Sequence, residues 1–170
     1  MVKILNSWFL LSSRVTGQCG QSPFFHVHII LRTKRRFKHS FEWESYLTYI
    51  KSPPLRTARR RFRISCHSLE IERSRYHRPK PLPADQRFCP SCQQLGRKLV
   101  ENEVHFLMFC STYAEERLKL FDVVADFIPS FKYHDPQTQF ELLRSCTSRS
   151  VVQKLAQFVL VCLKQRQLLF

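Results

Sequence analysis

The sequence predicts a mainly α-helical fold, organised as one small helical domain with at most a few short strands. Apolar residues recur at intervals of three and four in most segments after residue 40, which is the period of a helix. Ser, Asp or Pro stands where these segments begin, as at helix starts. The 170 residues, 44% of them hydrophobic, are enough to bury one core.

The N-terminal half divides into two regions. Residues 1–31 are interpreted as a weakly ordered lead-in, in which "FFHVHIIL" has the alternation of a short strand. Residues 32–80 form a basic helical region, with one helix predicted over 41–51 after Ser40 and another from Pro53. The inner face of the second helix is expected to carry Leu55, Ala58, Phe62 and Cys66. The solvent-facing side is expected to carry Arg56, Arg59, Arg60 and Arg63.

Beyond this helix the pattern becomes extended. Leu69 and Ile71 alternate with glutamates, which predicts an extended segment. Prolines at every second position then exclude helix and predict a stiff connection into the next region. These prolines are Pro79, Pro81 and Pro83.

Residues 112–170 are interpreted as a helical C-terminal region. Thr112 and Glu115 form a possible capping box for its first helix, which Pro129 ends. The apolar face predicted for this helix consists of Leu118, Phe121, Ala125 and Ile128. A second helix opens at Asp135 and Pro136 and includes Phe140 and Leu143. A last helix, capped by Ser148, is expected to bury Val152, Leu155, Val159, Cys162 and Leu163.

Net charge and cysteine content indicate the class of partner and the cellular compartment of the protein. The formal net charge is +15, which favours a polyanionic partner such as nucleic acid. Residues 32–80 contain fifteen Lys or Arg and only four acidic residues, so most of the net positive charge is concentrated there. Seven cysteines, three of them in one short segment, predict reduced thiols in the nucleus or the cytoplasm. No apolar stretch approaches the ~18 to 20 residues of a membrane span, so no membrane segment is expected.

Residues 81–111 hold four candidate metal ligands, spaced Cys-x2-Cys-x12-His-x4-Cys: Cys89, Cys92, His105 and Cys110. The cysteine pair predicts a tight turn, and His105 lies on a helix that must end or distort before Cys110, because five residues do not fit one helical face. Three thiolates and one imidazole favour zinc, and four protein ligands leave no position for water, so the zinc is predicted to be structural. The alternative is that these are ordinary buried residues.

The stretch "RTARRRFRISCHSLEIERSRYHRPK", with "RFCPSC" and "VENEVHFLMFC" after it, resembles the C-terminal region of non-LTR retrotransposon polyproteins from animals. The resemblance covers about residues 32 to 170. An Arg-Phe-Arg-x-Ser-x-His-x-Leu-x-Ile-Glu motif is matched by Arg61, Phe62, Arg63, Ser65, His67, Leu69, Ile71 and Glu72. It implies that the four candidate ligands form a zinc knuckle, which helps a reverse transcriptase to hold nucleic acid.

The chain also departs from this family. An extra "LGRK" follows the cysteine pair, and Ser74 stands where the family usually has Gly. Neither the paired aspartates of a reverse transcriptase nor the histidine and acidic residues of an endonuclease are present. The sequence therefore predicts a fragment or remnant without catalytic activity. Nor do His67 and Cys66 suggest an enzyme, because adjacent residues on a helix point apart.

The predicted function is a zinc-stabilised nucleic-acid-binding module for RNA or DNA. Its predicted contact residues are Arg56, Arg59, Arg60, Arg63, Arg73, Arg75 and Tyr76, with the arginines on phosphates and the tyrosine on bases. One alternative is a protein-interaction scaffold, whose helix 148–168 docks on a partner. Another is a non-functional relic of a retroelement.

Overall fold

A computed structural model describes residues 44, 46–76 and 79–169. This part of the chain is mainly helical, as predicted. The α-helices are α1 (Tyr46–Tyr49), α2 (Pro53–Arg63), α3 (Glu70–Arg73), α4 (Pro90–Gln94), α5 (Ala114–Phe127), α6 (Pro136–Ser145) and α7 (Arg149–Leu169). One π-helix spans His105–Phe109, and 3-10 turns lie at Ser74–Tyr76, Ala84–Gln86, Ser111–Tyr113 and Phe131–Tyr133. Within the described ranges, strand pairing is limited to one antiparallel bridge between Phe88 and Val100.

The long helix α7 is the centre of the packing. Helices α1, α2 and α5 all pack against it, and α6 contacts it as well. One apolar cluster joins α2, α5, α6 and α7 to the segment that carries the candidate ligands, and a smaller one joins α1 to α7. Each buried Leu or Phe side chain stabilises the fold by about 1.5 to 3 kcal/mol, so this shared core fixes where the candidate ligands lie.

Residues 41–170 belong to one compact unit. The described part of the basic region, residues 46–76, therefore shares a core with the candidate ligands and the C-terminal helices. The lead-in of residues 1–31, with its expected strand, lies outside the described residues, as does the predicted helix start after Ser40. Among the described helices, none has the length and apolar content that a bilayer crossing requires.

Several predicted helix boundaries are confirmed. Pro53 occupies the first turn of α2, although the Ser52 side chain makes no capping bond there. The side chain of Asp135 accepts hydrogen bonds from the backbone N–H groups of Gln137 and Thr138 at the start of α6. Helix α7 buries Val152, Leu155, Val159 and Cys162, as the periodicity predicted.

Two predictions about local structure are wrong. Residues 70–73 form the short helix α3 instead of an extended segment, because the N–H groups of Glu70 and Ile71 both bond to Glu101. The face of α5 is also different: Leu120 and Val124 are buried, whereas Leu118 is 64% exposed. The expected capping box is absent from α5, which begins without a side-chain cap after a 3-10 turn.

Candidate metal centre

The first two candidate ligands lie at the start of α4. Cys89 is the N-cap residue and Pro90 occupies the first helical turn, as a Cys-Pro-x-Cys sequence favours. The backbone N–H of Cys89 donates to Leu99 O at 2.8 Å, which ties the turn to the returning chain. Gly96 reverses that chain at a φ of 72°, in the left-handed region that favours glycine. The result is a small loop whose base holds both sulfurs.

The other two ligands lie at the two ends of the π-helix: His105 is its first residue and Cys110 directly follows its last. The backbone N–H of His105 donates to Asn102 Oδ1 at 2.7 Å, which fixes the start of this turn. The N–H of Cys110 donates to His105 O at 2.8 Å, a bond over five residues that widens the helix. The predicted distortion before Cys110 is therefore confirmed. A regular α-turn would rotate Cys110 away from His105, and the wider turn brings both side chains to the same side.

The four donor atoms converge. Those of Cys89, Cys92, His105 and Cys110 all lie within 4.8 Å of one another, and all four side chains are buried. The sulfurs of Cys89 and Cys110 are 3.9 Å apart, and Cys92 Sγ lies 3.4 Å from His105 Nε2. Metal–sulfur bonds of about 2.3 Å and a metal–nitrogen bond of about 2.0 Å give a tetrahedron with edges of roughly 3.5 to 3.8 Å. This cluster can therefore hold a metal ion.

Hydrogen bonds to sulfur favour a thiolate at Cys110, whereas burial raises the pKa of Cys92. The N–H of Cys92 donates to the Cys89 sulfur, and the hydroxyl and N–H of Thr112 donate to the Cys110 sulfur. The contact with Cys89 lowers the pKa of the Cys110 thiol to about 3, despite burial, and His105 and Thr112 add to this effect. The same contact, together with burial, raises the pKa of Cys89. One proton thus remains on this pair of sulfurs, and a cation would favour ionisation of both.

Arg117 holds the far end of the π-helix. Its Nε donates to Leu107 O at 2.7 Å and its Nη2 donates to Cys110 O at 2.5 Å. These two bonds satisfy carbonyl groups that the irregular turn leaves open. Arg117 therefore links the metal centre to α5 and places a positive charge near its sulfurs.

The family-like motif packs around the same centre. Glu103 accepts hydrogen bonds from Ser65 at 2.6 Å and from His67 at 3.1 Å. The ring of Phe62 contacts both His67 and Phe106, with centroids 5.6 and 5.7 Å apart. Although burial opposes the charged form of Glu103, these hydrogen bonds lower its pKa to about 2. Motif residues and the acidic segment before Cys110 thus form one structural unit.

A buried ion-pair network, which the sequence analysis missed, supports the opposite side of the centre. Arg166 binds both carboxylate oxygens of Glu101, at 2.9 and 2.8 Å, and its Nη2 also donates to Glu70 at 2.9 Å. Arg166 and Glu101 are 2% and 1% exposed. The sequence does contain a signal for the burial of Arg166, because this residue follows Cys162 by four residues on the buried stripe of α7. The network joins α7 to the loop between Cys92 and His105.

The residues predicted to contact nucleic acid are not gathered on one open surface. Arg59 is 1% exposed, so its expected place on the solvent-facing side of α2 is wrong. Arg56, Arg60 and Arg63 are half-buried, and two of these, Arg56 and Arg63, bond to backbone carbonyl groups. Arg73 is exposed, whereas Arg75 and Tyr76 are half-buried, and both arginines pair with glutamates on α3. Arg59 is not at the surface because α2 packs deeply against its neighbours, which buries this arginine and covers part of the other arginines of α2.

The loop after α4 supplies exposed cations that the sequence analysis did not select. Residues 93–99 are all exposed, and Arg97 and Lys98 stand between two leucines there. The leucines, Leu95 and Leu99, are 61% and 43% exposed. This knuckle loop, residues 95–99, includes the "LGRK" that departs from the retrotransposon pattern. The buried apolar residues of α7, by contrast, pack into the shared core.

Comparison with protein-family models, with curated proteins and with solved structures finds no match.

Proposed function

We propose that Cys89, Cys92, His105 and Cys110 bind one zinc ion, which has a structural role. Sulfur and imidazole donors are the set that zinc prefers among common ions, whereas calcium and magnesium take oxygen ligands. Four protein donors complete a tetrahedron and leave no site for a reactive water. Zinc here would fix the positions of the loop after α4 and of the π-helix.

We further propose that the zinc-stabilised unit binds nucleic acid and has no catalytic activity of its own. The observation that carries this proposal is the knuckle loop, which presents two cations and two leucines to solvent beside the metal centre. Cations neutralise phosphates, and apolar side chains can pack on the faces of unpaired bases. The net charge of +15 adds long-range attraction for any polyanion.

The resemblance to non-LTR retrotransposon tails adds a proposed origin. The chain would be a remnant of such a tail, separated from its polymerase. The packing of Phe62, His67 and Glu103 beside the metal centre supports this proposal, since the motif and the ligands form one unit.

The test is a binding experiment with the zinc-loaded full chain and labelled single-stranded RNA, single-stranded DNA and duplex DNA. We expect binding to at least one of these at low salt and loss of binding after zinc removal by a chelator. Absence of binding to all three would refute the nucleic-acid proposal. Undiminished binding by a metal-free chain would refute the role of zinc while leaving nucleic-acid binding intact.

A further inference from the structure

Three arginine side chains, which we call the arginine cluster, meet where α2 and α6 end: Arg59, Arg63 and Arg144. Arg59 Nη2 and Arg63 Nη1 each donate to the backbone carbonyl oxygen of Arg144 at 3.3 Å. Arg144 Nη2 donates in return to the carbonyl oxygen of Arg63 at 2.9 Å. Two guanidinium groups thus share a single carbonyl oxygen, which places like charges side by side.

Arg59 is the interior member of the cluster and has hydrogen-bond donors to spare. Its Nε and Nη1 atoms are buried and lack a hydrogen-bond partner among the described residues. Burial and the charges of Arg63 and Arg144 lower the pKa of Arg59 to about 10, which still leaves it protonated at neutral pH. Burying a charged donor without a partner costs more free energy than burying a neutral one. Such a donor indicates that a further acceptor belongs here.

Helix capping explains only part of this arrangement. The C-terminal end of α6 is worth about half a negative charge, and Arg59 and Arg63 share it. The carboxylate of Glu44 lies 3.3 Å from Arg63 Nη2. Capping accounts for one donor from Arg59, but its Nε and Nη1 atoms have no role in it. Within the described residues, capping therefore leaves two donors of Arg59 without an acceptor.

The cluster has an edge at the surface. The side chains of Arg63 and Glu44 are 17% and 19% exposed, so an anion from solvent can reach Arg63 at the position that Glu44 occupies. Arg59 is next to Arg63, since both donate to the Arg144 carbonyl, and its Nε and Nη1 atoms have no acceptor among the described residues. A tetrahedral oxyanion suits this arrangement, because its several oxygens can accept from two guanidinium groups at once.

We propose that the arginine cluster binds a phosphate group, with the carboxylate of Glu44 as the internal competitor that the phosphate displaces. The inference rests on the proposed function in one respect, since the phosphate it assigns is that of a nucleic-acid backbone. Arg59 and Arg63 then act together on one phosphate instead of contacting separate phosphates along an open helix face.

The first experiment measures thermal unfolding of the zinc-loaded chain at increasing inorganic phosphate, with chloride at matched ionic strength as the reference. Phosphate should raise the Tm of the unmodified chain more than chloride does, since a ligand of the native state stabilises it. Arg63→Gln should weaken phosphate binding about tenfold, because it removes a charge-assisted hydrogen bond. Glu44→Gln should strengthen binding, because it removes the competing charge. Arg149→Gln, at an exposed position on α7, is the matched control.

Glu44→Gln keeps the proposal testable if Arg63→Gln fails to fold, because this variant leaves all three arginines in place. If the cluster only caps helix ends, Glu44→Gln lowers stability slightly and leaves the phosphate effect as it was. That result, or equal stabilisation by phosphate and chloride, would overturn the proposal.

The second experiment repeats the comparison with a labelled single-stranded oligonucleotide. Weaker oligonucleotide binding by Arg63→Gln but not by Arg149→Gln supports a backbone phosphate as the ligand. If the oligonucleotide binds and both variants match the unmodified chain, the inference fails and the proposed function stands. If phosphate stabilises the chain but no oligonucleotide binds, the proposed function fails, and the cluster is a site for free phosphate.

Discussion

The metal centre and the arginine cluster bury opposite kinds of charge, and they differ in how completely the protein compensates them. At the metal centre, four donor atoms lie within 4.8 Å of one another, so a single cation can bind all of them. In the arginine cluster, two guanidinium groups share one carbonyl, and two donors of Arg59 have no acceptor among the described residues. Both sites therefore point to a ligand, a cation in one and an anion in the other.

A third buried site shows what full compensation looks like. Arg166 uses both ends of its guanidinium fork on Glu101 and reaches Glu70 as well. Although burial opposes its charge, the hydrogen bonds that Arg166 donates to these carboxylates raise its pKa. This network requires no outside ion. Comparison of Arg166 with Arg59 shows that a buried charge does not by itself indicate a binding site. A buried charged group whose donors lack acceptors does indicate one.

The largest expected effect is loss of the metal. Structural zinc contributes about 10 to 16 kcal/mol in small finger peptides, which is as much as the whole stability of an ordinary domain. We therefore expect Cys92→Ala, or removal of the metal, to unfold residues 89–110, as measured by amide hydrogen exchange and by metal content. Cys146→Ala is the matched control, because Cys146 lies outside the metal centre. A Cys92→Ala protein with about one metal ion per chain would refute the ligand assignment.

The second largest effect on stability is expected from the buried ion-pair network of Arg166, Glu101 and Glu70. Arg166→Met should lower the free energy of unfolding by about 3 to 5 kcal/mol, because it leaves the buried Glu101 without its cation. Urea unfolding of the metal-loaded chain measures this loss. Lys164→Met, at an exposed position on the same helix, should change stability by no more than about 0.5 kcal/mol.

A double variant sharpens this prediction. Arg166→Met combined with Glu101→Gln removes both buried charges, so we expect part of the lost stability to return. If the loss in the double variant equals the sum of the two single losses, Arg166 and Glu101 are not coupled. Equal losses for Arg166→Met and Lys164→Met would contradict the assignment of Arg166 as a buried partner of Glu101.

These sites also show how far the sequence could be interpreted. The metal centre was predictable because ligand chemistry restricts both residue type and spacing, and even the distortion before Cys110 follows from five residues not fitting one helical face. The cap at Asp135 was predictable for a similar reason, since an Asp-Pro pair carries its own start signal. In both cases the residues that determine the local structure lie within one short segment of the chain.

The remaining features depend on partners that are distant in sequence. Arg59 and Arg166 look like surface residues by type, and only contacts over 85 and 65 residues bring them inside. Helix α5 carries apolar residues on more than one face, and packing against α7 selects Leu120 over Leu118. Helix α3 forms because Glu101 accepts its first N–H groups. Apart from the position of Arg166 on the buried stripe of α7, no local pattern contains this information.

A smaller effect concerns the knuckle loop. Removal of Arg97 and Lys98 by a double change to Gln should weaken nucleic-acid binding and flatten its salt dependence. Each lost phosphate contact should reduce the slope of log affinity against log salt by about 0.7 to 0.9. Titrations of a labelled oligonucleotide at several salt concentrations measure the slope. A matched double change of Lys132 and Lys164, both exposed on other elements, controls for net charge. Identical slopes for the two double variants would exclude the knuckle loop as a contact surface.

The smallest effect is expected at Asp135, where the compensation is local and exposed to solvent. Its carboxylate accepts the N–H groups of Gln137 and Thr138 at 3.0 and 3.1 Å, and the hydroxyl of Thr138 also donates to it. The hydrogen bonds from Thr138 are the main cause of a pKa below the usual value for this carboxyl. Because the folded pKa is the lower one, the carboxylate stabilises α6 fully above about pH 4 and less as the pH falls further.

Asp135→Asn tests this sign directly, because Asn keeps the capping oxygen and removes the charge. The unmodified chain should be slightly more stable than Asp135→Asn at pH 6, and the difference should shrink at pH 3. Urea unfolding of both proteins at each pH measures this difference, and any loss of metal in acid affects both alike. Asp122→Asn, at an exposed position within α5, should show no such change with pH. A difference that grows on acidification would mean that the charge of Asp135 opposes the helix it caps.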